Sequence, residues 1–231
     1  MFLKSLAVAL AATLAAGSLA ACGGPAPGRD KIVLVEGDAF KGPADAKVTV
    51  IEYGSPTCPG CKNWHDQNWA EVKRDYIETG KIKFIFREFA IHGPIDFGIF
   101  SVARCAGQED FFEVLDEAFL RQQELVKAAE SGDAMPALRL LGAKFNLSEE
   151  QVNSCVDEKA NIRRINDVGT DATQKGINST PTFVVNNVKI ADSNWSAVKI
   201  AIDAALAGEA PPAQPVAPAG DGHEHAPGEQ H

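Results

Sequence analysis

Positive charge is in short supply in this chain: 22 Lys and Arg against 31 Asp and Glu leave a formal net charge of −9. Aromatic residues make up only 7% of it. Such a chain lacks both the cationic surface that neutralises phosphates and the rings that stack on bases, which argues against nucleic acid as a partner. Cysteine is also sparse, five in 231 residues. Two of the five form a Cys-x-x-Cys, but no second Cys-x-x-Cys and no His-x-x-x-His stands where it would complete a zinc site. No internal repeat is visible. What is plentiful is aliphatic side chains, which with twelve Phe are enough for an ordinary packed core.

Long apolar runs are missing too, with one exception. The stretch MFLKSLAVALAATLAAGSLAAC carries one Lys, an apolar segment from Ser5 and small residues ending at Cys22. It is short and Ala-rich for a spanning helix and reads as a secretory signal. Leu19-Ala20-Ala21-Cys22 resembles a bacterial lipobox, in which the cysteine becomes the lipidated first residue; an ordinary cleavage near Ala21 or an uncleaved anchor are the other readings. The expected organisation is a lipoprotein signal over 1–22, a flexible tether over 23–30, one domain over 31–208, and a Pro/Ala/Gly/His tail over 209–231 too poor in apolar residues to fold. A lipid anchor at Cys22 makes this a membrane-anchored lipoprotein facing the periplasm. His223, His225 and His231 of the tail are read as solvated rather than as metal ligands.

Within the domain, KIVLVEG and KVTVIEY are short β-branched runs. From Pro59 to Thr79 the pattern turns helical, with Cys61, Trp64, His65, Trp69, Val72 and Tyr76 on one stripe and Gly80 as the stop. KIKFIFREFA is the next strand. A helical section over about 94–176 follows: PIDFGIFSVARCAG, then QEDFFEVLDEAFLRQQELVKAA with Phe111, Val114, Leu115, Ala118, Phe119 and Leu125 on one face, then AMPALRLLGAKF, then a helix opened by a Ser148/Gln151 capping box. The strands TFVVN and VKIAD, joined at Asn186-Asn187, and a last amphipathic helix, NWSAVKIAIDAALAG, close the domain. The expected class is α/β: a β-α-β part, a helical insertion and a β-β-α part around one central sheet.

The chemistry sits in EYGSPTCPGCK. With Cys58 at a helix N-cap and Pro59 at the first helical position, the Cys58 sulfur faces unpaired backbone N–H groups at the positive end of the helix. Both effects favour the thiolate, the nucleophile of disulfide exchange. Cys61, one turn in, is expected to be more buried and to resolve the mixed disulfide. A cross-link around so small a loop adds little stability, so a structural disulfide explains the spacing poorly. Glu52, six residues earlier at the end of a strand, is either a buried base for the Cys61 proton or a surface charge on an alternating strand. Thr180-Pro181 precedes a strand, where a cis bond would leave the Thr180 backbone free to pair with an incoming peptide. His65 reads as a packing residue of the helix.

Glu52 before the pair, CPGC opening a helix, the long helical insertion and STPTFVVNN near the end together resemble the DsbA-like branch of the thioredoxin superfamily, from about Val35 to Gly208. DAKVTVIEY, KNWH, FIFREFA and ARCAG are further matches. The resemblance implies a thioredoxin-like fold and an exported thiol–disulfide oxidoreductase with no cofactor and no metal. Its nucleophile falls on Cys58, its resolving cysteine on Cys61, its buried acid on Glu52 and its cis-proline on Pro181, after Thr180. It further implies, as partners, exported protein thiols or disulfides and a membrane redox protein that recycles the pair. From the residues alone, Cys105 and Cys155 are either two buried thiols or a bridge between helices; the second pair of some relatives implies a structural disulfide. Two departures matter. Gly60 stands where such oxidases often carry His, whose imidazolium would stabilise the Cys58 thiolate, so a milder oxidant is expected. Thr180 stands where the enteric oxidase has Val and matches the Thr of isomerases and reductases. Oxidation of protein thiols is the expected activity. A reductase serving metalloprotein or cytochrome maturation, and a metal-binding lipoprotein, are the alternatives.

Overall fold

The structure is a computed structural model in which residues 37–210 are described. The signal, lipobox and tether of 1–30, the strand expected in KIVLVEG up to Glu36, and the tail after Ala210 lie outside the described residues.

In chain order the elements are β1 (Ala39–Lys41), β2 (Val48–Gly54), α1 (Pro59–Val72), β3 (Ile82–Glu88), α2 (Pro94–Ala106), α3 (Phe111–Leu120), α4 (Gln122–Glu130), α5 (Met135–Ala143), α6 (Glu149–Val156), α7 (Lys159–Gln174), β4 (Thr182–Val185), β5 (Val188–Lys189) and α8 (Trp195–Leu206). Among the described residues five strands make one sheet in the order β1-β3-β2-β4-β5. Only β2 and β3 run parallel, joined through α1, with Val50 beside Phe84 and Glu52 beside Phe86. β4 lies antiparallel on the other side of β2, with Glu52 beside Phe183. This is the thioredoxin-like arrangement, with α2 to α7 inserted between its two parts.

Strand alternation divides the core in two. Val48, Val50, Phe84, Phe86, Phe183 and Val185 face the larger cluster, which takes in residues of α1, α8 and the insertion. Ile51, Tyr53, Ile85 and Val184 face the opposite layer, covered by Val168 and Ala172 of α7. The same alternation aims Glu52 at the α1 side of the sheet.

Several elements differ from the reading above. The stripe expected to run to Thr79 is α-helical only to Val72 and continues over Lys73–Ile77 as a π-helical turn. There Glu78 N–H reaches the Lys73 carbonyl at 2.9 Å, and the wider turn keeps Tyr76 and Ile77 in the core before Gly80 (φ +72°) ends the helix. The long helix expected over QEDFFEVLDEAFLRQQELVKAA breaks at Arg121 into α3 and α4. The structure also has β1 and α7 as separate elements, which the sequence pattern does not mark out. The Ser148/Gln151 capping box is formed, and Asn186 and Asn187 take φ of +45° and +71°, as a two-residue hairpin requires. Cys105, in the last turn of α2, is bridged to Cys155 of α6 with Cα atoms 6.1 Å apart.

Candidate active site

Strand β2 ends at Gly54, and four residues later Cys58 caps α1 in an extended conformation (φ −73°, ψ 121°), with Pro59 in the first helical position. The Cys58 sulfur accepts the Cys61 N–H at 3.4 Å. As a thiol it donates to the Thr180 carbonyl, also at 3.4 Å, and the Thr180–Pro181 bond is cis. The Cys58 pKa is lowered to about 5. The main cause is the hydrogen bond from the Cys61 thiol; the Thr180 side chain and the N–H groups of Cys61 and Gly60 add to it, against burial. Cys61 moves the other way: burial, the bond to Cys58 and the charge of Glu52 push its pKa well up. Two neighbouring sulfurs are thus unlike, one a thiolate near neutrality and only 6% exposed, the other a thiol with no exposed surface.

Glu52 is fully buried under this helix. Its Oε2 lies 2.9 Å from Nε2 of His65, one turn beyond Cys61. The surface-charge reading of Glu52 therefore fails, and His65 does more than pack. Aromatic rings surround the imidazole, with Phe119 at 4.5 Å and Trp69 at 5.2 Å between centroids. Gly54 is needed here, since a Cβ would stand 2.5 Å from the Phe86 ring and 3.0 Å from Glu52 Oε1.

The insertion holds the loop before Cys58 from two sides. Gln122, first residue of α4, donates to the carbonyls of Pro56 and Cys58 at 2.9 and 3.0 Å. Asp96, buried in the first turn of α2, accepts from Ser55 Oγ at 2.9 Å, Thr57 Oγ1 at 2.7 Å and the His92 N–H at 3.0 Å. A groove of about 1050 Å³ opens beside Thr57, Pro59 and His92 and runs along α4 to Met135 and Leu138.

Cys58, Cys61, Glu52, Thr180 and Pro181 are thus brought to one place, while Cys105 and Cys155 stand apart within the insertion. Sequence reasoning missed His65 as a partner, Gln122 and Asp96. The signal was there in each case: a polar residue inside an apolar helical pattern, Gln122 seven residues after Leu115 and four after Ala118. Among the described residues, no group of three or more His, Cys, Asp and Glu stands close enough to hold a metal, and none of their helices is long and apolar enough to cross a membrane. Cys22 and the tail histidines lie outside those residues.

A parallel β-α-β with a dithiol at the strand-to-helix junction and a proline loop against the first sulfur defines a thioredoxin-type dithiol protein. The chain belongs to the thioredoxin family: the family model described as Thioredoxin matches residues 35–204. Its structural neighbours are DsbA-like. Wolbachia pipientis alpha-DsbA1 superposes with a TM-score of 0.69 at 25% identity, over 77% of this chain and 94% of that one. BdbD from Bacillus subtilis shares the fold, with a TM-score of 0.63 at 23% identity, over 76% and 96%. A Rickettsia bellii protein, provisionally named protein-disulfide oxidoreductase, is 32% identical over 173 residues, which are 74% of this chain and 65% of the relative. Disulfide bond formation protein D of Bacillus subtilis is 26% identical over 190 residues, 76% of this chain and 80% of that protein. The chain thus spans just under two thirds of the length of the Rickettsia bellii relative.

Proposed function

We propose that this chain is a thiol–disulfide oxidoreductase of the cell envelope that oxidises thiols of exported proteins through a mixed disulfide at Cys58. The observation that carries the reading is the pairing of a thiolate-favouring Cys58 at the head of α1 with a buried, proton-retaining Cys61. In the oxidising direction a substrate thiolate attacks Cys58 of the Cys58–Cys61 disulfide. The new S–S bond joins substrate to Cys58, the old one breaks, and Cys61 leaves and takes a proton. A second substrate thiol, losing its proton, then attacks the substrate sulfur of the mixed disulfide and expels Cys58 as a thiolate. Two electrons pass from substrate to the pair, and a membrane redox partner takes them to restore the disulfide. The Thr180 carbonyl, beside the sulfur, is placed to receive a backbone N–H of the bound peptide. Cys105–Cys155 serves as a structural bridge and does not turn over. Lipidation at Cys22, on the periplasmic side of a membrane, completes the reading.

A disulfide reductase is the second reading, favoured by Gly60 and Thr180, neither of which matches the strong oxidases. The test of both is a Cys61→Ala trap in the exporting cell. Accumulated Cys58 mixed disulfides with exported proteins are expected, and the resting redox state of the wild-type pair, oxidised or reduced, reports the direction. A trap that holds no partner sinks the enzyme reading and leaves a metal-binding lipoprotein in its place.

A further inference from the structure

Cys61 and Glu52 both lack exposed surface. The proton that Cys61 gains on leaving, and loses on attacking, therefore has to be held inside the protein. His65 stands in the right place to share that task. Its Nε2 is 2.9 Å from Glu52 Oε2, with the two side chains 5% and 0% exposed. A carboxylate and an imidazole in one dry pocket share a proton most cheaply, because a lone buried charge of either sign is costly. Their second atoms, Glu52 Oε1 and His65 Nδ1, are buried and without hydrogen-bond partners. A pair kept only for structure would be expected to satisfy them. The titratable groups around the imidazole are Glu52 of β2, Cys61 on the preceding turn of α1, and Asp116 of α3, which feels its charge and is itself approached by Lys73 at 3.7 Å. From β3 it meets only the ring of Phe86, and from α3 also that of Phe119.

We propose that Glu52 and His65 form one proton-holding unit for the resolving sulfur, in which His65 is a positioning residue that sets how readily Glu52 gives and takes the Cys61 proton. This rests on the oxidoreductase reading above. As the Cys58–Cys61 bond breaks, its electron pair goes to the Cys61 sulfur and the unit's proton follows; solvent then reprotonates the unit. When Cys61 attacks a mixed disulfide the proton returns to the unit, the Cys58–Cys61 bond forms, and the partner sulfur leaves with the electron pair.

The test is single-turnover reaction of the full oxidised chain with a one-cysteine peptide between pH 4 and 9, read by tryptophan fluorescence, in wild type, Glu52→Gln, His65→Gln and the double variant. Glutamine at 65 keeps a donor towards Glu52 but cannot carry the proton. Glu52→Gln is expected to slow the step about a hundredfold and His65→Gln roughly tenfold, each flattening the pH profile, while the double variant is no slower than Glu52→Gln alone. The ultraviolet titration of the Cys58 thiolate should stay close to wild type in His65→Gln. A wild-type pH profile in His65→Gln, or losses that multiply to about a thousandfold in the double variant, overturns the unit. If His65→Gln does not fold, the rapid-scan infrared difference spectrum of wild type during the turnover decides: a transient change in a carboxyl band absent from Glu52→Gln together with one in the imidazole bands supports the unit, and a transient confined to the carboxyl, or none, overturns it. A wild-type chain that exchanges no thiols sinks the oxidoreductase reading as well, whereas exchange with a silent His65→Gln sinks this proposal alone.

Discussion

Cys58 and Cys61 enclose two residues at the head of one helix, whereas Cys105 and Cys155 are 50 positions apart and join two helices of the insertion. The structure leaves the first pair as free thiols and bonds the second. Exposure does not separate them as intuition would have it: Cys105 lies at the surface, while Cys58 is largely covered. What distinguishes Cys58 is its company, a helix's leading N–H groups, a neighbouring thiol and the Thr180 side chain, all lowering its pKa. Loop length sets the other difference. In the chain-entropy picture a fifty-residue ring removes far more freedom from the unfolded chain than a ring of four, so the long bridge stabilises and the short one is free to open and close. On the proposed function, reactivity and stability fall to different sulfurs in one domain.

Disabling each pair in turn is the strongest way to break this contrast. Cys58→Ser should reduce thiol exchange to the uncatalysed rate with the fold intact. The Cys105→Ala/Cys155→Ala variant should keep exchange within about twofold and lose about 4 kcal/mol, seen as a drop in Tm of roughly 8–16 °C. Calorimetry and a peptide-oxidation assay on both variants check it, and a fully folded second variant without exchange would break the comparison.

The contrast should sharpen with pH. The folded Cys58 pKa of about 5 lies below the ordinary thiol value of 9.0. Its stabilising effect on the reduced protein is therefore complete above pH 9 and is lost as pH falls through 5. The expected slope between those limits is at most about 1.4 kcal/mol per pH unit, measured against Cys58→Ala by denaturant melts. Cys61, pushed up by burial, opposes this only above pH 9, so measurements belong below it. Removing the second bridge should leave the slope unchanged.

The smallest expected effect comes from Gly60. A Cβ there would sit 3.6 Å from the Cys58 sulfur and 3.4 Å from Pro181 Cδ, close contacts that a side chain can make. Gly60→His should make the pair more oxidising by a few tens of millivolts, towards the roughly −120 mV of DsbA, as read against a glutathione buffer. A wild-type pair already near that value would refute the milder oxidant inferred from Gly60.

Much of the site is legible in the sequence because its parts are local. The N-cap cysteine, Pro59 and the end of β2 lie within ten residues of one another, and the Asn186-Asn187 turn and the Ser148 capping box are likewise short-range devices. What could not be read depended on pairing between distant elements. His65 was visible on the helical stripe, but its partner lies 13 residues back on a strand, and only the strand–helix packing brings the two together. The break at Arg121 was hidden because the apolar stripe runs straight through it. β1 is only three residues long, too short to show a period, and α7 is polar over most of its length, with only Ile165, Val168 and Ala172 buried, so it does not stand apart within the helical section.

The clasp made by Gln122 and Asp96 has a further consequence. Both residues belong to the helices inserted between the two parts of the thioredoxin-like plan, yet both grip the four-residue bend that presents the Cys58 sulfur. The interruption is a splint and not a hat: excising it to recover a minimal scaffold would release the bend it sets, and with it the alignment of sulfur, helix and proline loop.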